Sequence, residues 1–289
     1  MYMPDFEYHA PRTVADACVL LDELGEKAIV FGGGSDLLHK MKNGHLTPEH
    51  VVSLKHMTHL REVRHEAGRG VVIGALVTPD GIYRSPLLQE RYLSLPMAAH
   101  EMGNPQVRNR GTVGGNICNA SPLADLPPLL IALGASVKVV QYAGERIVPL
   151  EDFISGPGKT LIKRDEILAE VIIPDQPTTG STYIKFGLRK SGALAVVGVA
   201  VAVTVKDGVL ADARIVMGAV APVPMRAKEA EELLKGQKIT DALLERAADS
   251  AAAECKPISD LRGSAEYRRE MIRVLTRRAL RKAIDEGHV

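Results

Sequence analysis

Short apolar runs alternate with amphipathic stretches along the chain, and the period of each predicts its element. Apolar positions recur at Val14, Ala17, Leu20, Leu21 and Leu24, with Thr13 before them and Gly25 after. That is one helical face with a hydroxyl N-cap and a glycine stop. Residues 28–31 are consecutively apolar and predict a short strand, which runs straight into Gly32-Gly33-Gly34-Ser35-Asp36 and a short helical turn at Leu37-Leu38. With a second strand over 51–54, residues 1–55 read as a compact βαβ-like unit.

Residues 56–176 mix strands, at 71–73, 137–140, 146–148 and 167–173, with helices at 87–102 and 126–133. Pro174, Pro177 and Gly180 mark a boundary. Residues 177–289 begin with strands at 183–187, 196–205 and 213–220, the last two separated by the turn Lys206-Asp207-Gly208. Helices follow at 227–234, 241–254 and 265–284. Strands followed by helices predict an α+β domain with helices on one face of an antiparallel sheet.

Composition narrows the function classes. The chain is 46% apolar and 25% charged with a formal net charge of +1, which gives no reason to propose a nucleic-acid or membrane partner. The most apolar run, 193–205, falls short of the roughly 20 residues a span requires and reads as a buried strand. No secretory signal pattern opens the chain. Cys18, Cys118 and Cys255 are odd in number and far apart, so neither a disulfide framework nor a metal motif is read, and a cytoplasmic location is expected. The nine histidines are scattered. His56 and His59 lack the glutamate of a His-Glu-x-x-His motif, so the histidines are read as surface or structural residues and no metal site is expected. The basic stretch 262–282 reads as a solvated helix face.

The chemistry lies in two glycine loops. Three glycines after a strand allow positive φ and close approach of a ligand to the main chain, and successive amides can converge on phosphate oxygens. Tight turns need glycine too. Leu37 breaks a Gly-x-Gly-x-x-Gly fingerprint, and Phe153 stands where a P-loop ending at Gly158-Lys159-Thr160 needs its first glycine. The second loop, Gly111-Thr112-Val113-Gly114-Gly115-Asn116, reads as lying before a helix. Two such loops suit a diphosphate held from two sides, hence a long anionic ligand such as a dinucleotide.

These residues resemble the FAD-binding medium subunit of molybdenum hydroxylases, the xanthine dehydrogenase and carbon monoxide dehydrogenase group. The resemblance rests on Gly32-Gly33-Gly34-Ser35-Asp36-Leu37-Leu38, Ile73-Gly74-Ala75 with Thr78, and Pro105-Gln106-Val107-Arg108-Asn109. It continues in Thr112-Val113-Gly114-Gly115-Asn116, Ser121-Pro122 with Asp125, Glu166-Ile167-Leu168, Lys185-Phe186, Pro224-Met225-Arg226 and Tyr267-Arg268. It implies an α+β fold of the vanillyl-alcohol-oxidase (PCMH) type, in which two subdomains enclose FAD and a C-terminal domain closes one side.

By position the resemblance assigns FAD contact to Ile29, Val30, Phe31, Gly32, Gly33, Gly34, Ser35, Asp36 and Leu37. It also assigns Thr78, then Thr112, Val113, Gly114, Gly115 and Asn116. Asp125 would hydrogen-bond the FAD, although a helix cap is its alternative reading, Leu168 would contact it, and Lys185 would lie near the flavin ring. The chain departs from some relatives in having no aromatic residue over 190–195 and Met102 where xanthine dehydrogenases carry another, and its three cysteines exclude an extra iron–sulfur cluster. The resemblance further implies a dimer of heterotrimers. A large subunit would hold the molybdenum cofactor, a small subunit two [2Fe-2S] clusters, and electrons would pass through FAD to NAD⁺ or another acceptor. No catalytic acid, base or nucleophile is assigned here. Gly156-Pro157-Gly158-Lys159-Thr160 and Asn116-Ile117-Cys118-Asn119 look closest to xanthine dehydrogenase subunits, implying xanthine or another N-heterocycle as substrate, with an aldehyde, CO or an aromatic thioester as the alternatives. A stand-alone flavin oxidoreductase and a non-catalytic nucleotide-binding or assembly protein are the competing readings.

Overall fold

A computed structural model describes residues 3–286. The first unit holds β1 (Glu7–His9), α1 (Val14–Leu24), β2 (Ala28–Phe31), α2 (Leu37–Lys42) and β3 (His50–Ser53). Its strands pair in parallel in the order β1-β3-β2. Thr13 caps α1 as expected, its hydroxyl accepting from the Asp16 amide at 3.0 Å. Helix α1 buries Ala17, Cys18 and Leu21 with Val52, Leu54, Leu76 and Ile167, so this unit shares its core with the next.

The second unit contains β4 (Val63–Glu66), β5 (Gly70–Gly74), β6 (Ser136–Gln141), β7 (Gly144–Pro149), a hairpin of β8 (Ile154–Gly156) and β9 (Lys159–Thr160), and β10 (Ile167–Ile173). Its antiparallel sheet has the order β4-β5-β10-β6-β7. Between β5 and β6 run α3 (Pro79–Arg84), α4 (Pro86–Arg91), α5 (Ser94–Glu101), α6 (Pro105–Arg110), α7 (Val113–Asn119) and α8 (Leu126–Ala132), with α9 (Leu150–Phe153) after β7. The single helix expected over 87–102 is therefore two, α4 and α5. Tyr92 leaves helical geometry at φ −146° and ψ 60°, and its ring packs into the core. Pro96 lacks an amide hydrogen, so it is accommodated where it stands, in the first turn of a new helix.

The third unit is antiparallel: β11 (Gly180–Gly187), β12 (Ala195–Lys206), β13 (Val209–Gly218) and β14 (Met225–Arg226), with β15 (Gln237–Lys238) pairing on β13. Asp207 and Gly208 both take positive φ, 50° and 74°, the backbone of a tight hairpin turn. Helices α10 (Lys228–Leu234), α11 (Asp241–Glu254) and α12 (Ala265–Glu286) follow. They cover one face of the sheet, where Val197, Val199, Val201 and Val203 join their core. The opposite face is covered as well: Ala200 and Ala202 belong to the core of the second unit. A strand buried on both faces explains an unbroken apolar run better than alternation would. The basic stretch in α12 also departs from a wholly solvated face, because Arg268 is buried, pairs with Asp260 and donates to the Ala219 carbonyl at 3.1 Å. Among the described residues no helix is long and apolar enough to cross a membrane.

Candidate functional site

A cleft of about 480 Å³ opens between the first and second units. Its lining includes Ile29, Val30, Gly32, Gly33, Gly34, Ser35, Asp36 and Leu37 on one side, and Thr112, Gly114, Gly115 and Asn116 on another. Leu168 closes it from β10, beside an irregularity in pairing between Leu168 and Glu170. The Ala169 carbonyl there accepts from the Ala75 amide at 2.8 Å. Residues far apart in sequence thus form one surface.

The glycines serve two purposes. Gly34 has φ +81°, a left-handed backbone that favours glycine. Gly33 is required by contact instead: a Cβ there would lie 1.8 Å from the Arg110 carbonyl oxygen. The two loops are therefore pressed together, and part of their glycine content reflects that packing. Asp36 accepts from Asn119 Nδ2 at 3.3 Å, and Lys40 Nζ donates to Asn119 Oδ1 at 2.7 Å, tying the first loop and α2 to the end of α7.

The hydrogen-bond inventory separates the two loops. Among the described residues, the backbone amides of Gly32, Gly33, Gly34, Ser35 and Asp36 have no acceptor in the chain. The second loop differs from expectation because it is the first turn of α7 rather than a segment before it. The amides of that turn are already bonded, Val113 to the Val77 carbonyl, Gly114 to the Ala75 carbonyl, Gly115 to Thr112 Oγ1 and Asn116 to the Thr112 carbonyl, and in the loop ahead of it only the Thr112 amide has no acceptor among the described residues. What it offers is a side chain. Asn116 Oδ1 is buried with no donor among the described residues. A buried acceptor left unpaired is unfavourable and calls for a donor.

Charge around the cleft is largely paired. Glu166 is held bidentately by Arg146 at 2.9 and 2.8 Å and accepts from the Lys163 amide at 2.7 Å. Arg146 chiefly, with that amide, holds its carboxyl below the usual range. Arg164 pairs with Glu26. Burial pushes the Cys118 thiol up to about 12, so it stays protonated and offers no thiolate nucleophile.

Several expected ligands lie off this lining. Thr78 caps α3, its hydroxyl accepting from the Gly81 amide at 3.1 Å. With Phe31 it lines a second cavity of about 550 Å³ that shares Gly32, Gly33, Leu76 and Thr112 with the cleft. Val113 is fully buried in the core. Asp125 and Lys185 meet in the seam between α8 and β11, where Lys185 Nζ donates to Asp125 Oδ2 at 2.7 Å and Tyr183 donates to Asp125 Oδ1 at 3.0 Å. Asp125 makes no side-chain cap on α8, which removes that alternative. Burial pushes the Asp125 carboxyl up, with Lys185 and Tyr183 opposing, and burial beside Asp125 raises the Tyr183 hydroxyl well above its ordinary value.

Sequence reasoning missed Lys40, Leu46, Leu54, Val107 and Ile162, all of which line the cleft. These are ordinary side chains in ordinary patterns, and only the tertiary arrangement brings them together. Met102, noted only as a departure, also lines it.

Comparison with known proteins gives a consistent result across the whole chain. The family described as the FAD binding domain in molybdopterin dehydrogenase matches residues 4–176, and the CO dehydrogenase flavoprotein C-terminal domain matches 182–283. The carbon monoxide dehydrogenase medium chain of Hydrogenophaga pseudoflava is 38% identical over 284 residues, 98% of each chain. The xanthine dehydrogenase FAD-binding subunit of Escherichia coli is 30% identical over 285 residues, 98% of this chain and 97% of that one. A solved structure of the Hydrogenophaga carbon monoxide dehydrogenase superposes with a TM-score of 0.94 at 38% identity, covering 99% of both chains.

Proposed function

The chain belongs to the FAD-binding medium subunits of the molybdenum hydroxylases, and on that premise we propose that it is the electron-transfer subunit of such a complex. In this reading it takes electrons from [2Fe-2S] clusters of a small subunit and passes them to NAD⁺ or another acceptor. Substrate is oxidised at the molybdenum cofactor of a large subunit, and the assembly is a dimer of heterotrimers. The free state of all three cysteines is compatible with a cytoplasmic location.

The single observation that carries the FAD reading is the pairing of unsatisfied groups across the cleft. The free amides of residues 32–36 are donors suited to diphosphate oxygens, and Asn116 Oδ1 is an acceptor suited to a hydroxyl or imide hydrogen. FAD carries both kinds of partner, so the residues present fit it. Bound FAD supplies a redox centre able to exchange electrons singly or in pairs, and the protein supplies binding, orientation and field.

Within that reading each residue has a defined task. Gly32 to Asp36 donate amides to the diphosphate, and Ser35 adds a hydroxyl. Asn116 accepts from the ligand. Ile29, Val30, Leu37, Leu54 and Leu168 exclude water. Arg146 keeps Glu166 ionised and fixed in the cleft wall. Asp125 and Lys185, paired to each other in the seam, set the field behind the site and hold the third unit against the second.

For the substrate of the complex, the loop at 156–160 supports xanthine or another N-heterocycle. The 38% identity to a carbon monoxide dehydrogenase medium chain, against 30% to a xanthine dehydrogenase subunit, favours carbon monoxide as the second reading. Anaerobic bleaching of the flavin spectrum of the purified complex decides between them. Bleaching by xanthine and not by CO supports the first reading, and the reverse supports the second.

A further inference from the structure

The shortest strand of the first unit carries a constellation that the sequence does not reveal. Glu7 and His9 are two residues apart on β1, so their side chains share one face of the sheet. Strand β1 runs parallel to β3 with Glu7 in register with His50, which brings His50 to the same face although it is 41 residues from His9. His9 Nε2 lies 3.1 Å from His50 Nδ1, and Glu7 Oε2 lies 3.3 Å from His50 Nδ1 and 3.7 Å from His9 Nε2. Among the described residues this is the one group of three such side chains whose ligating atoms all fall within 4.8 Å of one another.

Those separations match the edges of a small coordination polyhedron. A zinc-like ion bound at roughly 2.0–2.1 Å by tetrahedral ligands sets them roughly 3.3 Å apart. Three lone-pair-bearing atoms converge here, so a single cation can take one ligand from each. The imidazoles are largely covered, at 27% and 17% side-chain exposure, while Glu7 at 72% stands at the solvent side. The site therefore has an entry path and room for water as a fourth ligand. Two nitrogens and one carboxylate oxygen select a borderline transition-metal ion over calcium or magnesium, which prefer oxygen.

The geometry points to a binding site for a divalent ion of the zinc class at Glu7, His9 and His50. It lies at the opposite end of the sheet from the glycine turn, since Ala28 pairs with His50 and Phe31 with Ser53. Its role is to staple β1 to β3 and so stiffen the sheet behind the cleft, separately from flavin chemistry. The site does not depend on the FAD reading.

The test uses the untagged protein in its native complex, stripped with a chelator and titrated with Co²⁺ as a spectroscopic probe, then with Zn²⁺ as competitor. The expected result is visible absorption of a low-coordinate Co²⁺ site, displaced by Zn²⁺, in a site belonging to this chain. His50→Ala and His9→Ala should each weaken Co²⁺ binding by about tenfold or more, with flavin content unchanged. Glu7→Gln, exposed enough not to disturb folding, should weaken it too, and His45→Ala should not. Absence of the Co²⁺ bands, or bands that persist unchanged in Glu7→Gln and His50→Ala, would overturn the proposal while leaving the FAD assignment intact.

Discussion

Lys185 and Asp125 form an ion pair at 2.7 Å with side chains only 8% and 7% exposed, so the strand opening the third unit is bonded to the start of α8 in the second. Two charges out of water are tolerable only together, and removing one leaves the other uncompensated. Asp125→Asn should therefore destabilise the protein by about 3–5 kcal/mol, read as a shift in urea midpoint. The double variant Asp125→Leu/Lys185→Met should recover most of that loss. If the single variant were as stable as the parent, the pair would not be a brace.

Gly33 tests whether the loops must touch. Its missing Cβ leaves room for the Arg110 carbonyl, which an alanine would meet at 1.8 Å. Gly33→Ala should cost about 1–3 kcal/mol in stability and lower flavin content, because the free amides move with the loop. A stable variant with full flavin would contradict the packing role.

Asn116 separates binding from folding. Its Oδ1 is buried and unpaired in the chain, so Asn116→Leu should leave stability unchanged or raise it. FAD affinity should fall roughly threefold to tenfold, the worth of one ordinary hydrogen bond. Fluorescence titration of the stripped protein measures the affinity and urea unfolding the stability. Equal affinity in both proteins would remove Asn116 from the ligand set.

Glu166 predicts a pH dependence. Arg146 and the Lys163 amide hold its folded-state carboxyl below the usual range, so folding favours the ionised form. The resulting stability is present above the unfolded value of about 4.3 and is lost as pH falls through the lower folded value. Urea midpoints should fall on acidification more steeply for the parent than for Glu166→Gln. Parallel profiles would show that the Arg146 pair contributes nothing.

The legible parts of this fold are those where local chemistry decides. Thr13 and Gly25 bracket α1 because capping is read within a few residues, and 28–31 and 241–254 fall where their patterns place them. Strand β1 escaped notice because Glu7-Tyr8-His9 has no apolar signature and exists only through pairing with β3. The break at Tyr92 was hidden by apolar residues on both sides that continue a helical pattern. In the site, the glycine loops were visible as motifs, yet which loop keeps free amides depends on tertiary acceptors such as the Val77 and Ala75 carbonyls. The same holds for Glu7, His9 and His50, whose proximity is a matter of strand register.

The most direct measurement is acid release and identification of the nucleotide from the complex co-purified through this chain, with iron and molybdenum quantified in the same sample. The account predicts about one FAD per copy of the chain, accompanied by iron and molybdenum in the associated subunits. A folded complex that contains both metals but releases no FAD, and takes none up when it is added, would contradict it.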